Sequence, residues 1–189
     1  MKKILLLSTL LLVFLCKIYG QSINNLEIKN GFRHLKFGSH ANQISNIIKS
    51  KSQFLDNPRV IEYNYIGVDI STVFGVNVES VNLSFFDDKL FSISVNFGSM
   101  SNSIDFEFSE YNAIRSSLEQ TYGKGWVGPV NTDGIYLNGA IWDGNRVCLE
   151  LFRMDFSKSR SNPKYYGYIP GYLHIFDKTL TKAMYNSEF

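Results

Sequence analysis

From Ile4 to Cys16 the chain is an almost unbroken apolar run, preceded by Lys2 and Lys3 and followed by Ile18, Tyr19 and Gly20 before polar Gln21. A basic start, a short apolar stretch and a small residue at the boundary are the layout of a secretory signal peptide over 1–20. The stretch is too short to span a bilayer comfortably. Beyond it the period changes. A short segment from Leu26 to Phe37 ends at Gly38 and Ser39. Ile44, Ile47 and Ile48 then recur at helical spacing through Lys51, which predicts a helix capped by the Ser39 hydroxyl. Asp56-Asn57-Pro58 breaks it.

Alternation takes over next. Ile61, Tyr63 and Tyr65 predict a strand, Gly67 interrupts it, Val68 and Ile70 continue, and Phe74, Val76 and Val78 alternate again. The clearest hairpin follows. Val81, Leu83 and Phe85 alternate up to Asp87-Asp88-Lys89, and Phe91, Ile93, Val95 and Phe97 alternate away. Asn82, Ser84, Ser92, Ser94 and Asn96 hold the opposite phase, as in an antiparallel sheet with one covered face. The apolar phase from Val81 to Val95 is expected to form one core face with Ile44, Ile47 and Ile48 of the helix.

Gly98 to Ser103 is linker-like. Ile104, Phe106 and Phe108 read as a short strand or as the lead into a second helix, capped by Ser109. Tyr111, Ile114, Leu118 and Tyr122 form its apolar stripe, and Gly123 stands where a left-handed helix end favours glycine. Gly125 to Gly134 reads as a loop. Ile135 to Trp142 then pairs with Arg146 to Phe152 across Asp143-Gly144-Asn145. A polar loop from Asp155 to Lys164, an aromatic segment Tyr165 to Tyr172, a strand Leu173 to Phe176 and a final helical turn from Thr179 to Met184 complete the chain. Ile114, Leu118, Val147, Leu149 and Leu151 are its expected core. Helix then antiparallel strands occurs twice. The pattern predicts an α+β fold of tandem helix-plus-antiparallel-sheet halves, 21–103 and 104–189, packed as one unit.

Composition narrows the function classes. Lys and Arg number 19 against 17 Asp and Glu, and three of the lysines lie in the leader, so the remainder is essentially neutral. With no run of like charges, a nucleic-acid partner gets no support. Only Cys148 remains after the leader, which leaves no internal disulfide. A lipid anchor at Cys16 would need a small residue before the cysteine, and Leu15 stands there. No second apolar span follows, so the expectation is an exported protein, periplasmic or secreted, without an integral membrane segment after processing.

Phe32-Arg33-His34-Leu35-Lys36-Phe37-Gly38 through Ile44 resembles the entry to the SmpA/OmlA and β-lactamase-inhibitor-protein-like fold. In that family an aromatic and a Leu or Ile precede a glycine, with Val or Ile six residues on opening the buried face of a helix. Gly38 and Ile44 fit that spacing, while Ser39 replaces the usual methionine. The resemblance implies a helix-on-sheet module whose uncovered sheet face binds another protein, and no enzyme activity.

Candidate chemistry is sparse. Cys148 and His174 on neighbouring strands would make a thiol–imidazole pair, but no glycine-rich nucleophile turn accompanies them. His34, His40 and His174 lack a zinc spacing, so no metal or other cofactor is expected. Asp87, Asp88 and Asp143 fall in hairpin turns, where aspartate bonds its own backbone. Gly123-Lys124-Gly125 lacks the rest of a phosphate loop. The aromatic second half is the remaining feature: Tyr165, Tyr166, Tyr168, Tyr172, Phe152 and Trp142 are the candidate binding residues, because amphipathic rings suit protein surfaces and sugar stacking. The plainer alternative packs these rings into the core. The leading expectation is a non-enzymatic exported interaction module that binds an envelope or extracellular protein partner through an uncovered sheet face. The alternatives are small-molecule or glycan binding at 165–172, and a hydrolase using Cys148 or paired carboxylates.

Overall fold

The computed structural model describes residues 23–51, 57–99, 102–127, 130–132, 135–156 and 167–187. The leader at 1–20 and the tyrosines Tyr165 and Tyr166 lie outside these residues. The fold is α+β. A short helix α1 (Asn24–Lys29) precedes a small hairpin of β1 (Gly31–Phe32) and β2 (Leu35–Lys36). β3 (Ile47–Lys49) and β4 (Val60–Tyr65) lead to a second small hairpin, β5 (Thr72–Val73) with β6 (Val76–Asn77). The long strands β7 (Ser80–Phe86) and β8 (Lys89–Phe97) are followed by helix α2 (Phe108–Tyr122). β9 (Trp126–Val127), β10 (Val130–Thr132), β11 (Ile135–Asp143), β12 (Val147–Asp155), β13 (Gly171–Asp177) and helix α3 (Lys178–Asn186) complete the order.

Nine strands share one sheet, ordered β10-β11-β12-β13-β8-β7-β4-β3, with β9 also pairing β11. Each pairing in it is antiparallel. The last strand, β13, inserts beside β8, setting Leu173 opposite Val95 and Ile175 opposite Ile93. One sheet therefore runs through both parts of the chain. α2 covers one face. Its stripe of Tyr111, Ile114, Leu118 and Tyr122 packs toward β12 and is buried in one cluster with Val147, Leu149 and Leu151 and the inward phase of β7, β8 and β13. Burying each such side chain contributes roughly 1.5–3 kcal/mol, and Leu26, Leu35, Ile70, Val73 and Val76 from the first helix, the two small hairpins and the 3-10 turn extend the same core.

Several expectations are corrected. No helix forms after Gly38, where the isoleucine spacing and the family resemblance both place one. Ala41–Gln43 makes a single 3-10 turn, and Ile47–Lys49 is the edge strand β3. Asn46 takes a left-handed φ of 60°, which ends any helix, and the β-branched pair that follows suits a strand. Ile47 then packs on the core while Ile48 points away, 55% exposed. The cap is His40 rather than Ser39: its backbone N–H donates to Gln43 Oε1 at 2.9 Å. Val68–Ile70 is a 3-10 turn, not a strand, with Val68 in solvent and Ile70 buried. The expected loop after Gly125 contains β9 and β10. Helix α2 starts at Phe108, with the Glu110 carboxylate accepting from the Glu107 N–H, so Ser109 lies inside the first turn rather than at the cap.

The hairpin of β7 and β8 has the predicted turn, with Asp87 and Asp88 both at positive φ. It also has a bulge the alternation hides. Ser84 pairs with Ser92 but Phe85 pairs with Leu90, so Phe91 is the extra residue. Leu90 therefore takes the place in the main core expected of Phe91. Phe91 turns to the other face, where it packs with Val60, Phe86 and Met184, and with Leu180 of α3. α3 thus lies across one end of the face that α2 leaves open.

Candidate functional site

On the side of the sheet away from α2, side chains line up in rows across the strands. One row runs Cys148, Phe176, Ser92, Ser84, Glu62. The next runs Ile141, Glu150, His174, Ser94, Asn82, Asn64. A third runs Phe152, Tyr172, Asn96, Ser80. The half from β8 to β4 is a hydroxyl and amide ladder, stiffened where the Asn96 amide donates to Ser80 Oγ at 3.0 Å and Asn82 Oδ1 at 2.8 Å. The Asn82 amide in turn donates to Asn64 Oδ1 at 2.9 Å. The half from β12 to β13 is aromatic. The Phe152 and Tyr172 rings tilt together 5.2 Å apart, and the His174 and Phe176 rings 5.0 Å apart. The charged groups in these rows are Glu62, Glu150, which has His174 beside it, and Asp143, which stands opposite Cys148 and pairs with Lys178 at 2.7 Å.

The structure brings together part of the predicted aromatic set. Phe152 and Tyr172 are half-buried neighbours on this face, and burial, then Glu150, pushes the Tyr172 hydroxyl above its ordinary value. Tyr168 and Tyr172 line an open depression of about 430 Å3 at the rim, with Ser80, Asn96, Met154 and Pro170. Trp142 is different. It is 1% exposed on the covered side, and its indole N–H donates to the Gly123 carbonyl at 2.8 Å. It is a packing residue, because its place on β11 shares the phase of buried Ala140.

A cluster that pattern reading missed lies in the centre of the face. Ser92 Oγ is 2.8 Å from His174 Nε2, and His174 Nδ1 is 3.4 Å from Glu150 Oε2. The three residues stand on β8, β13 and β12, and only the pairing of β13 with β8 unites them. Their one sequence signal is phase: each is polar at an outward position of its strand. Cys148 is not part of this line. Both His174 nitrogens are engaged by Ser92 and Glu150, and burial, then Glu150 and Asp143, pushes the Cys148 thiol up to about 12. It is a protonated packing residue, not a thiolate.

The remaining carboxylates serve structure. Asp87 pairs with the Arg59 guanidinium, and Asp88 with His40 at 2.9 Å, which holds both carboxyls below the usual range. Asp143 pairs with Lys178 at 2.7 Å. Asp69 accepts from the Tyr65 hydroxyl at 2.6 Å and is lowered chiefly by that bond. Among the described residues no group of His, Cys, Asp and Glu has the arrangement of a metal site, and no helix is long and apolar enough to cross a membrane. Compared with known proteins, the chain matches no family model, no curated protein and no solved structure.

Proposed function

We propose that this chain is an exported interaction module that binds an envelope or extracellular protein through the sheet face α2 leaves open, with no turnover required for that role. Export rests on the leader pattern from Lys2 to Gly20. The observation that carries the binding reading is the face itself, where Phe152 and Tyr172 stand beside the Ser and Asn ladder of β7 and β8. Aromatic anchors next to adaptable small polar groups are the composition of recognition surfaces. With Glu62, Glu150 and Asp143 in its rows, and Lys178 at its margin already paired to Asp143, the face suits a neutral or basic partner surface rather than a polyanion.

The test is affinity capture of the mature protein's partners from the envelope and culture fractions of its own cells. Tyr172→Ala and Phe152→Ala should each remove a captured protein that the exposed substitution Ser116→Ala leaves in place. A partner retained by both aromatic variants would place recognition elsewhere. A second reading has its own support in the rim depression between Tyr168 and Tyr172, whose lining of aromatic rings, the Asn96 amide and the Glu79 carboxylate fits the ring face and hydroxyls of a neutral sugar. Chemical-shift changes of Asn96 and Tyr172 on titration with neutral oligosaccharides, without any protein partner, would favour it.

A further inference from the structure

We propose that Ser92 is an activated nucleophile that accepts the acyl group of a small, activated carboxylic ester. This goes beyond the binding reading and does not depend on it. The geometry has a hydroxyl, an imidazole and a carboxylate in line, with Ser92 8% exposed at the sheet surface. The hydroxyl lies 2.8 Å from His174 Nε2, within proton-transfer reach, and His174 Nδ1 faces the Glu150 carboxylate at 3.4 Å. The Phe176 ring packs 5.0 Å from the imidazole and restrains it.

A second feature aims the serine. The bulge at Phe91 falls immediately before Ser92, and bulges re-aim the side chains beside them. Phe91 is locked by packing with Met184 and Leu180 of α3, so the nucleophile sits near the angle between helix and sheet. Ser84, directly opposite Ser92, and Ser94, opposite His174, place two more hydroxyl-bearing residues in the adjoining register positions of this face. The open face offers no deep acyl slot, which is why the substrate class is small esters with good leaving groups.

In the step itself, Ser92 Oγ attacks the carbonyl carbon while its proton passes to His174 Nε2. The tetrahedral adduct collapses, the bond to the leaving oxygen breaks, and the imidazolium returns the proton to that oxygen. The products are an acyl ester on Ser92 and a free alcohol. His174 is the general base, and Glu150 positions it and stabilises its charged form.

The experiment treats the full-length mature protein with p-nitrophenyl acetate, follows nitrophenolate release, and maps the acetyl group by peptide mass spectrometry. The expected result is a burst approaching one equivalent with the acetyl on Ser92. It should be absent in Ser92→Ala, slowed about a hundredfold in His174→Gln, and kept in the exposed helix variant Ser116→Ala. Glu150→Gln should slow the burst by leaving the imidazole unoriented, with the conservative Glu150→Asp recovering part of the rate. Acetyl spread over lysines with none on Ser92, or a rate indifferent to His174→Gln, overturns the proposal. Should Ser92→Ala fail to fold, the site of acetylation in the wild-type protein decides alone. A partner captured in the absence of acylation would leave the binding reading standing and this one refuted.

Discussion

Gly171 shows how tightly single residues are specified here. It opens β13 at the point where Phe106 crosses the sheet, and a Cβ there would collide with the Phe106 ring. That ring is stacked 4.9 Å from Phe97 and fully buried, so it has no room to yield. Gly171→Ala is therefore expected to cost about 1–3 kcal/mol by overpacking, read as a lowered midpoint in urea unfolding. An unchanged midpoint would mean that Phe106 relaxes freely. Cys148 gives a prediction in pH. Its folded thiol sits at about 12, while an unfolded thiol ionises at about 8.5, so the unfolded chain releases this proton first. The contribution is complete below the unfolded value and lost as pH rises through the folded one. In practice iodoacetamide at about pH 8 should leave the folded protein unmodified and label it once urea is added. Rapid labelling without urea would contradict the burial.

At the scale of elements, the bulge and the helix that lies on it make a sharp contrast. Phe91 and Ile48 look alike in an apolar pattern, yet Phe91 is 3% exposed in the cluster under α3 while Ile48 is 55% exposed on an edge strand. Phe91→Ala is expected to cost about 3–5 kcal/mol and Ile48→Ala only a few tenths, compared by urea titration. Similar losses from both would mean that Ile48 is packed after all. α3 depends on Asp177, which is fully buried. Its carboxylate accepts from the Thr179 and Leu180 N–H groups at 2.9 Å each and from Arg146 Nε at 2.6 Å. Asp177→Ala removes a cap and leaves the half-exposed Arg146 without its partner. It should cost about 2–3 kcal/mol, with Asp177→Asn recovering part through the cap. Equal losses in the two variants would show that the ion pair, not the cap, dominates.

At the scale of the molecule, β8 and β13 are the middle of the sheet. Ile93 and Val95 face Ile175 and Leu173 across the one pairing that joins the early strands to the late ones. Hydrogen exchange of the whole chain should therefore find the amides of Ile93–Val95 and Leu173–Ile175 among the slowest and exchanging together. Two separate protection classes divided between those strands would mean that the sheet opens along that seam.

Alternation along Val81–Phe85, Ile93–Phe97 and Val147–Leu151 was enough to place the strands and their buried phase, because burial on one face imposes a period of two that no other element shares. The α2 stripe and Gly123 were equally legible, for the same reason at a period of 3.6. The sequence by itself thus determined an α+β chain with an antiparallel sheet, a covering helix and a polar outer phase on β7 and β8. Only the tertiary structure decided which strands meet. Ser92, His174 and Glu150 lie far apart in the chain and share a site because β13 inserts between β12 and β8. Phe91 left its expected face because one extra residue shifts the phase locally, and Trp142 left the candidate surface because its strand turns it toward α2's side. Local periodicity encodes which face of an element is buried. It carries no term for the long-range pairing that sets one strand beside another, and that pairing assembles the open face of this protein.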